Sequence, residues 1–179
     1  MIPPCYPKIG SGVFSVLPRW KLAPTPFGGR RIDANRWYNQ QDMERTFAII
    51  KPDAVRRGVA GAIIDRIEKA GFVVKAMKKR TLTKAEAEGF YAVHTGKPFF
   101  PSLTEFMASG PIVVAVLEAD GAIKKWRDLM GATDPAKAAP GTLRAEFGSS
   151  IGENATHGSD APETAAYEIG YFFAGVELI

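Results

Sequence analysis

His157 is the residue with the most direct chemical potential. It stands in the run Asn154-Ala155-Thr156-His157-Gly158-Ser159-Asp160. An imidazole is in large part neutral and nucleophilic near neutral pH, so it can accept and pass on an activated group. Gly158 beside it lets the backbone approach a ligand closely. Lys51 follows the apolar run 46–50, and Arg127 and Arg144 offer planar forks that match phosphate oxygens. No standard glycine-rich phosphate loop accompanies them. Gly96-Lys97 is followed by Pro98 and has Tyr91 where a Walker A motif would begin, and the stretch 58–61 fails the dinucleotide pattern. A bound phosphate would therefore be held chiefly by side chains.

Taken singly, each of these residues has a plainer reading. Lys51 could be an edge charge that discourages aggregation. Arg127 could be a solvated residue on the 124–128 face, and Arg144 could pair with Glu146. Of Phe99 and Phe100, one should be core, and periodicity does not say which.

The elements that must position these residues are legible from residue 43 onward. The run 46–50 reads as a buried strand stopped by Pro52. Ile63, Ile64, Ile67 and Ala70 share a helical face that Gly71 closes, and 72–77 reads as a second strand. Thr83 and Glu86 form a capping box for a helix running toward His94. Phe99, Leu103, Phe106 and Met107 continue a helical face until Gly110-Pro111. The almost wholly apolar run 112–117 suits a central strand, and Asp120 is the expected cap of the next helix. The segment 131–158 is irregular apart from a short helical stretch over 143–147, as functional segments often are. Asp160 and Glu163 should cap a last helix with a buried stripe of Ala165, Ala166, Ile169, Phe172 and Phe173. This order predicts an α+β fold, with helices covering an antiparallel sheet.

The chain has 179 residues, 46% hydrophobic and 23% charged, which is enough for one domain with a real core. Its single cysteine, Cys5, excludes an internal disulfide. No apolar run approaches the roughly 20 residues of a membrane helix, so a soluble protein is expected. The net charge of +4 invites a nucleic-acid reading, but residues 1–42 hold six basic and two acidic residues, leaving seventeen of each sign in the remainder. No specific nucleic-acid partner is therefore expected. Residues 1–42, rich in proline and glycine without sustained periodicity, read as an extension. A misassigned start upstream of Met43, a targeting segment and a disordered tail all fit it.

Several stretches together resemble the nucleoside diphosphate kinase family. They are Glu44-Arg45-Thr46-Phe47-Ala48-Ile49-Ile50-Lys51-Pro52-Asp53, Gly96-Lys97-Pro98-Phe99-Phe100, Ser109-Gly110-Pro111, Gly131-Ala132-Thr133-Asp134-Pro135, Pro140-Gly141-Thr142-Leu143-Arg144 and the run around His157. They fall in family order and with family spacing across residues 43–179. The resemblance implies a ferredoxin-like βαββαβ fold with a four-stranded antiparallel sheet. It implies an enzyme that transfers the terminal phosphate of a nucleoside triphosphate, mainly ATP, to a nucleoside diphosphate through a phosphohistidine at His157, in ping-pong fashion.

Carried over residue by residue, it implies that Lys51, Tyr91, Arg127, Thr133, Arg144 and Asn154 surround the phosphates and sugar. Phe99 would stack on the base beside Leu103 and Ile151. Glu168 and Ser159 would orient the imidazole. Mg2+ would come with the nucleotide, and no residue is assigned as a metal ligand. A cytoplasmic homo-oligomer, tetramer or hexamer, completes the expectation. The rival from another class is a nucleotide-binding or assembly module that keeps the fold without turnover; retention of His157 among its charged neighbours argues against it.

Overall fold

In a computed structural model, residues 43–178 are described; the expectations for residues 1–42 lie outside them. Strand β1 (Glu44–Ile50) leads into the short helix α1 (Pro52–Arg56) and then α2 (Ala60–Lys69). Strand β2 (Val73–Thr81), helix α3 (Lys84–Phe90) and helix α4 (Phe100–Ala108) follow. Strand β3 (Pro111–Ala119), helices α5 (Ala122–Met130) and α6 (Leu143–Phe147), the three-residue strand β4 (Thr156–Gly158) and helix α7 (Pro162–Phe172) complete the order. The sheet runs β2-β3-β1-β4 with every pair antiparallel, the strand order of a ferredoxin-like α+β fold. Helices α3 and α4 are inserted between β2 and β3. Among the described residues no helix is long and apolar enough to cross a membrane.

Both faces of the sheet are covered, which explains the unbroken apolar run of β3. Successive strand residues point to opposite faces. Ala48, Ile50, Ala115 and Leu117 therefore pack with Ile63, Ile67, Phe72, Trp126 and Leu143 on one side. Phe47, Ile49, Ile112, Val114 and Val116 pack with Phe90, Met107, Ile169 and Phe172 on the other. Phe100 packs against this second cluster while Phe99 is exposed, which settles what periodicity left open.

Local chemistry follows the expected rules at several ends. The capping box of Thr83 and Glu86 is formed. Gly71, at φ +79°, follows α2 in the left-handed region and donates its N–H to the Glu68 carbonyl. Two ends depart from expectation. Asp120 does not cap α5; the preceding residue is Gly121, and the Glu44 carboxylate, 79 residues away, accepts the Ile123 N–H at 2.8 Å. At α7 the Thr164 hydroxyl, rather than Asp160 or Glu163, accepts the Ala161 N–H at 3.0 Å. Asp160 instead accepts from the Thr164 hydroxyl. In the stripe of α7, Ala166 is exposed, because the helix rests on the sheet only through Ala165, Ile169 and Phe172.

Candidate active site

Strand β4 decides where His157 faces. It pairs with the end of β1, with His157 opposite Ile49 and Thr156 opposite Ile50. Directly opposed residues share a face, so His157 lies with Phe47 and Ile49 on the side covered by α3 and α7. There Phe47, Phe90 and Tyr91 surround the imidazole with ring centroids at 6.4, 5.7 and 5.9 Å, each in an edge-type arrangement. Gly158 points the opposite way. A Cβ there would fall inside the indole of wholly buried Trp126, whose Nε1–H donates to the His157 carbonyl at 3.2 Å.

Helix α7 supplies the polar partner. Glu168 lies 2.9 Å from His157 Nε2 through Oε1, and its Oε2 accepts the Ser159 hydroxyl at 2.5 Å. Ser159 in turn accepts the Phe47 N–H at 3.3 Å. A carboxylate group accepts, so in the neutral imidazole this contact places the proton on Nε2 and the lone pair on Nδ1. Burial first, and the Glu168 charge second, raise the Tyr91 phenol above its ordinary value. Its hydroxyl has no hydrogen-bond partner among the described residues.

His157 opens onto a cleft of about 920 Å³. Lys51, Tyr91, Phe99, Leu103, Arg127, Thr133, Arg144, Ile151, Asn154, His157 and Glu168 all line it, so eleven residues singled out from sequence converge there. Ser159 stands behind, buried beneath Glu168. The positions come from every part of the fold. Lys51 sits where Pro52 ends β1, Tyr91 follows α3, and Phe99 precedes α4. Arg127 is on α5, Arg144 on α6 and Asn154 just before β4.

Three cations, Lys51, Arg127 and Arg144, line the cleft, which also carries the acids Glu153, Asp160 and Glu168. Lys51 is only 7% exposed; burial first, then Arg144, hold its ammonium down to about 8, with Asp53 pulling the other way. Its Nζ donates to Asn154 Oδ1 at 2.6 Å, and Asn154 Nδ2 donates to the Thr133 carbonyl at 2.9 Å. Burial, then Arg127, lower Arg144 to about 10. Its Nη atoms donate to the carbonyls of Gly131 and Thr156 at 2.9 and 3.1 Å, while Nε is buried without a partner among the described residues. Lys51 and Arg144, held against burial and mutual repulsion, with exposed Arg127 beside Arg144, form a cation cluster suited to a polyanion. Phe99, Leu103 and Ile151 add an apolar part to the lining, with Phe99 49% exposed. Among the described residues no three His, Cys, Asp or Glu side chains cluster as metal ligands. A divalent ion fits this donor set only in company with an anionic ligand.

Sequence reasoning did not pick out the support of the loop before β4. Thr156 N–H donates to the Asn154 carbonyl at 2.7 Å across Ala155, whose φ is +64°. That is a tight γ-turn of a rare and strained kind, costing about 1–3 kcal/mol for a residue other than glycine. Asp53 Oδ2 accepts the Ala155 N–H at 3.0 Å from 102 residues away. No local signal in the sequence links these two positions.

A profile described as nucleoside diphosphate kinase matches residues 44–178. The nucleoside diphosphate kinase of Syntrophotalea carbinolica is 68% identical over 137 residues, covering 76% of this chain and 100% of that protein. The one from Desulfotalea psychrophila is 66% identical over the same length, again covering 76% of this chain and 100% of that protein. Among solved structures, the Aquifex aeolicus nucleoside diphosphate kinase superposes with a TM-score of 0.75 at 48% identity, covering 76% of this chain and 99% of that one. The Halobacterium salinarum enzyme, solved in complex with CDP, gives 0.73 at 42% identity, with 76% and 91% covered.

Proposed function

This chain belongs to the nucleoside diphosphate kinase family, and on that premise we propose that it passes the terminal phosphate of a nucleoside triphosphate, mainly ATP, to a nucleoside diphosphate by way of His157. The observation that carries the mechanism is the pairing of His157 Nε2 with Glu168, which in the neutral ring leaves the Nδ1 lone pair available at the wall of the cleft that Lys51, Arg127 and Arg144 also line.

In the first half-reaction the Nδ1 lone pair forms a bond to the γ-phosphorus. The bond from that phosphorus to the oxygen bridging to the β-phosphate breaks, and the diphosphate leaves with the electron pair. In the second, a terminal phosphate oxygen of another nucleoside diphosphate attacks the phosphorus and the N–P bond breaks. One site thus serves donor and acceptor in turn, which is ping-pong behaviour.

Phosphoryl transfer spreads charge over the equatorial oxygens, so fixed positive charge and positioning do most of the work. Lys51, Arg127 and Arg144 supply the charge, and the burial of Lys51 and the partial burial of Arg144 make theirs stronger than it would be in water. Tyr91, Thr133 and Asn154 complete the surroundings of phosphates and sugar. Glu168, held by Ser159, fixes the imidazole tautomer and steadies the positive charge that develops on the ring. Phe99, flanked by Leu103 and Ile151, stacks on the base, and because every base has a π-face such a platform accepts all of them. Mg2+ enters as part of the nucleotide substrate and supplies charge neutralisation on its phosphate oxygens.

The same reading extends to a cytoplasmic homo-oligomer, tetramer or hexamer. It assigns the whole activity to residues 43–179, which can be expressed alone and assayed.

Incubating the protein with γ-labelled ATP and magnesium, without acceptor, should place an acid-labile, base-stable phosphate on His157 that any nucleoside diphosphate discharges. His157→Ala should retain nucleotide binding and lose transfer by many orders of magnitude. Wild-type transfer by His157→Ala, or a label on His94, would overturn the assignment.

A further inference from the structure

The loop that presents His157 is held in a conformation that its own residues disfavour. Ala155, wholly buried, is the one non-glycine residue with positive φ among the described residues. Both of its backbone groups are gripped by the segment around the start of α1. Its N–H donates to Asp53 Oδ2 at 3.0 Å, and its carbonyl accepts the Lys51 N–H at 2.8 Å. On one side of this turn Asn154 faces Lys51 through a 2.6 Å hydrogen bond. On the other, Thr156 and His157 enter β4 in register with Ile50 and Ile49. The direction of Asn154 and the height of His157 in the cleft thus depend on one turn.

We infer that Asp53 is a positioning residue for phosphoryl transfer, its carboxylate pinning the Ala155 γ-turn that aims His157 and Asn154 into the cleft. The inference rests on the phosphohistidine reading given above.

The alternatives for Asp53 are weaker. It is 3% exposed, so it is not a solvated surface acid. As an acidic residue in the first turn of α1 it complements the helix dipole. That role, however, does not account for a carboxylate oxygen directed at an amide 102 residues away. Its other oxygen has no hydrogen-bond partner among the described residues, so the Ala155 amide is the contact that orients the group. An alanine released from this grip relaxes to negative φ, which shifts the chain on both sides of it. Lys51 N–H alone, holding the carbonyl, does not fix the sign of φ.

The test is the rate at which saturating ATP phosphorylates His157 in a single turnover, per folded molecule counted from thermal melts. Asp53→Ala should slow it by about 100-fold, the scale of a small misplacement of a reacting group. Asp53→Asn keeps an acceptor for the amide, though a weaker neutral one, and should still lose a measurable part of the rate, about threefold to tenfold. The decisive variant adds Ala155→Gly to Asp53→Ala, because glycine adopts positive φ without a Cβ penalty. This double variant should regain about tenfold or more of the lost rate, a coupling expected of residues that act through one contact.

A purely structural Asp53 would lower the melting temperature, leave the rate per folded molecule unchanged and show no rescue. A wild-type rate in Asp53→Ala, or a double variant no faster than the single, overturns the inference. Should Asp53→Ala fail to fold, Asp53→Asn carries the same comparison: a wild-type rate, or a deficit that Ala155→Gly does not reduce, overturns it. Wild-type protein that takes up no phosphate refutes the phosphohistidine reading and this inference with it. A labelled wild type with an equally fast Asp53→Ala refutes this inference alone.

Discussion

Raising the pH through the range in which Lys51 titrates should weaken nucleotide binding in a way that depends on this one side chain. In the free protein, burial and Arg144 hold Lys51 down to about 8, against an ordinary value of 10.5, with only Asp53 opposing them. A bound polyphosphate brings negative charge against the same ammonium and returns its proton affinity to the ordinary range or above. Between those limits the free protein gives up a proton that the complex keeps. The dissociation constant should therefore rise about tenfold by pH 9, with an uptake approaching one proton per nucleotide. Arg144, lowered to about 10, stays charged across this window.

The linkage also fixes the sign for stability. With its folded value below its unfolded one, Lys51 makes the unfolded chain bind more protons between about 8 and 10.5. Its destabilising contribution is full below that window and fades as pH rises through it. At 1.36 kcal/mol per pH unit, that contribution is on the order of 3 kcal/mol. The assay is ADP binding by calorimetry from pH 7.5 to 9 at fixed ionic strength, in buffers of differing ionisation enthalpy, for wild type and Lys51→Gln. The variant should bind more weakly at pH 7.5 and lose little more by pH 9. Parallel profiles for the two proteins would refute the assignment of a depressed, phosphate-facing Lys51.

Three further outcomes can be checked. Phe99→Ala should weaken binding of all four common nucleoside diphosphates by an amount on the order of 1–3 kcal/mol, measured as dissociation constants; a loss confined to one base would point to edge-directed contacts instead. Gly158→Ala drives a methyl into buried Trp126 and should cost about 1–3 kcal/mol of stability in denaturant melts, whereas an unchanged midpoint would show that the indole can move. Glu168→Gln removes a charge-assisted bond of about 1.5–3 kcal/mol, so kcat should fall by roughly tenfold or more with the nucleotide KM little changed; a wild-type kcat would mean that the imidazole needs no fixed tautomer.

The legible part of this protein is the part written in short-range pattern. Alternation and apolar runs gave strands at β1 and β3, helical spacing gave α2 and α4, and Thr83 with Glu86 marked the start of α3, because each depends on neighbours within one or two turns of chain. Motif resemblance went further and singled out eleven residues that the fold gathers in one cleft. What pattern could not give is who meets whom across the fold. The cap of α5 comes from Glu44, not from adjacent Asp120. Phe99 and Phe100 are separated into platform and core only by the packing of α4. Lys51 looks like an edge charge until burial and the arrival of Arg144 depress its proton affinity. Asp53 and Ala155 meet because β4 pairs with β1, which brings residues 102 apart within hydrogen-bonding distance. Local sequence fixes dihedral preferences and faces, whereas hydrogen-bond partners, desolvation and charge–charge distances are set only when the sheet closes.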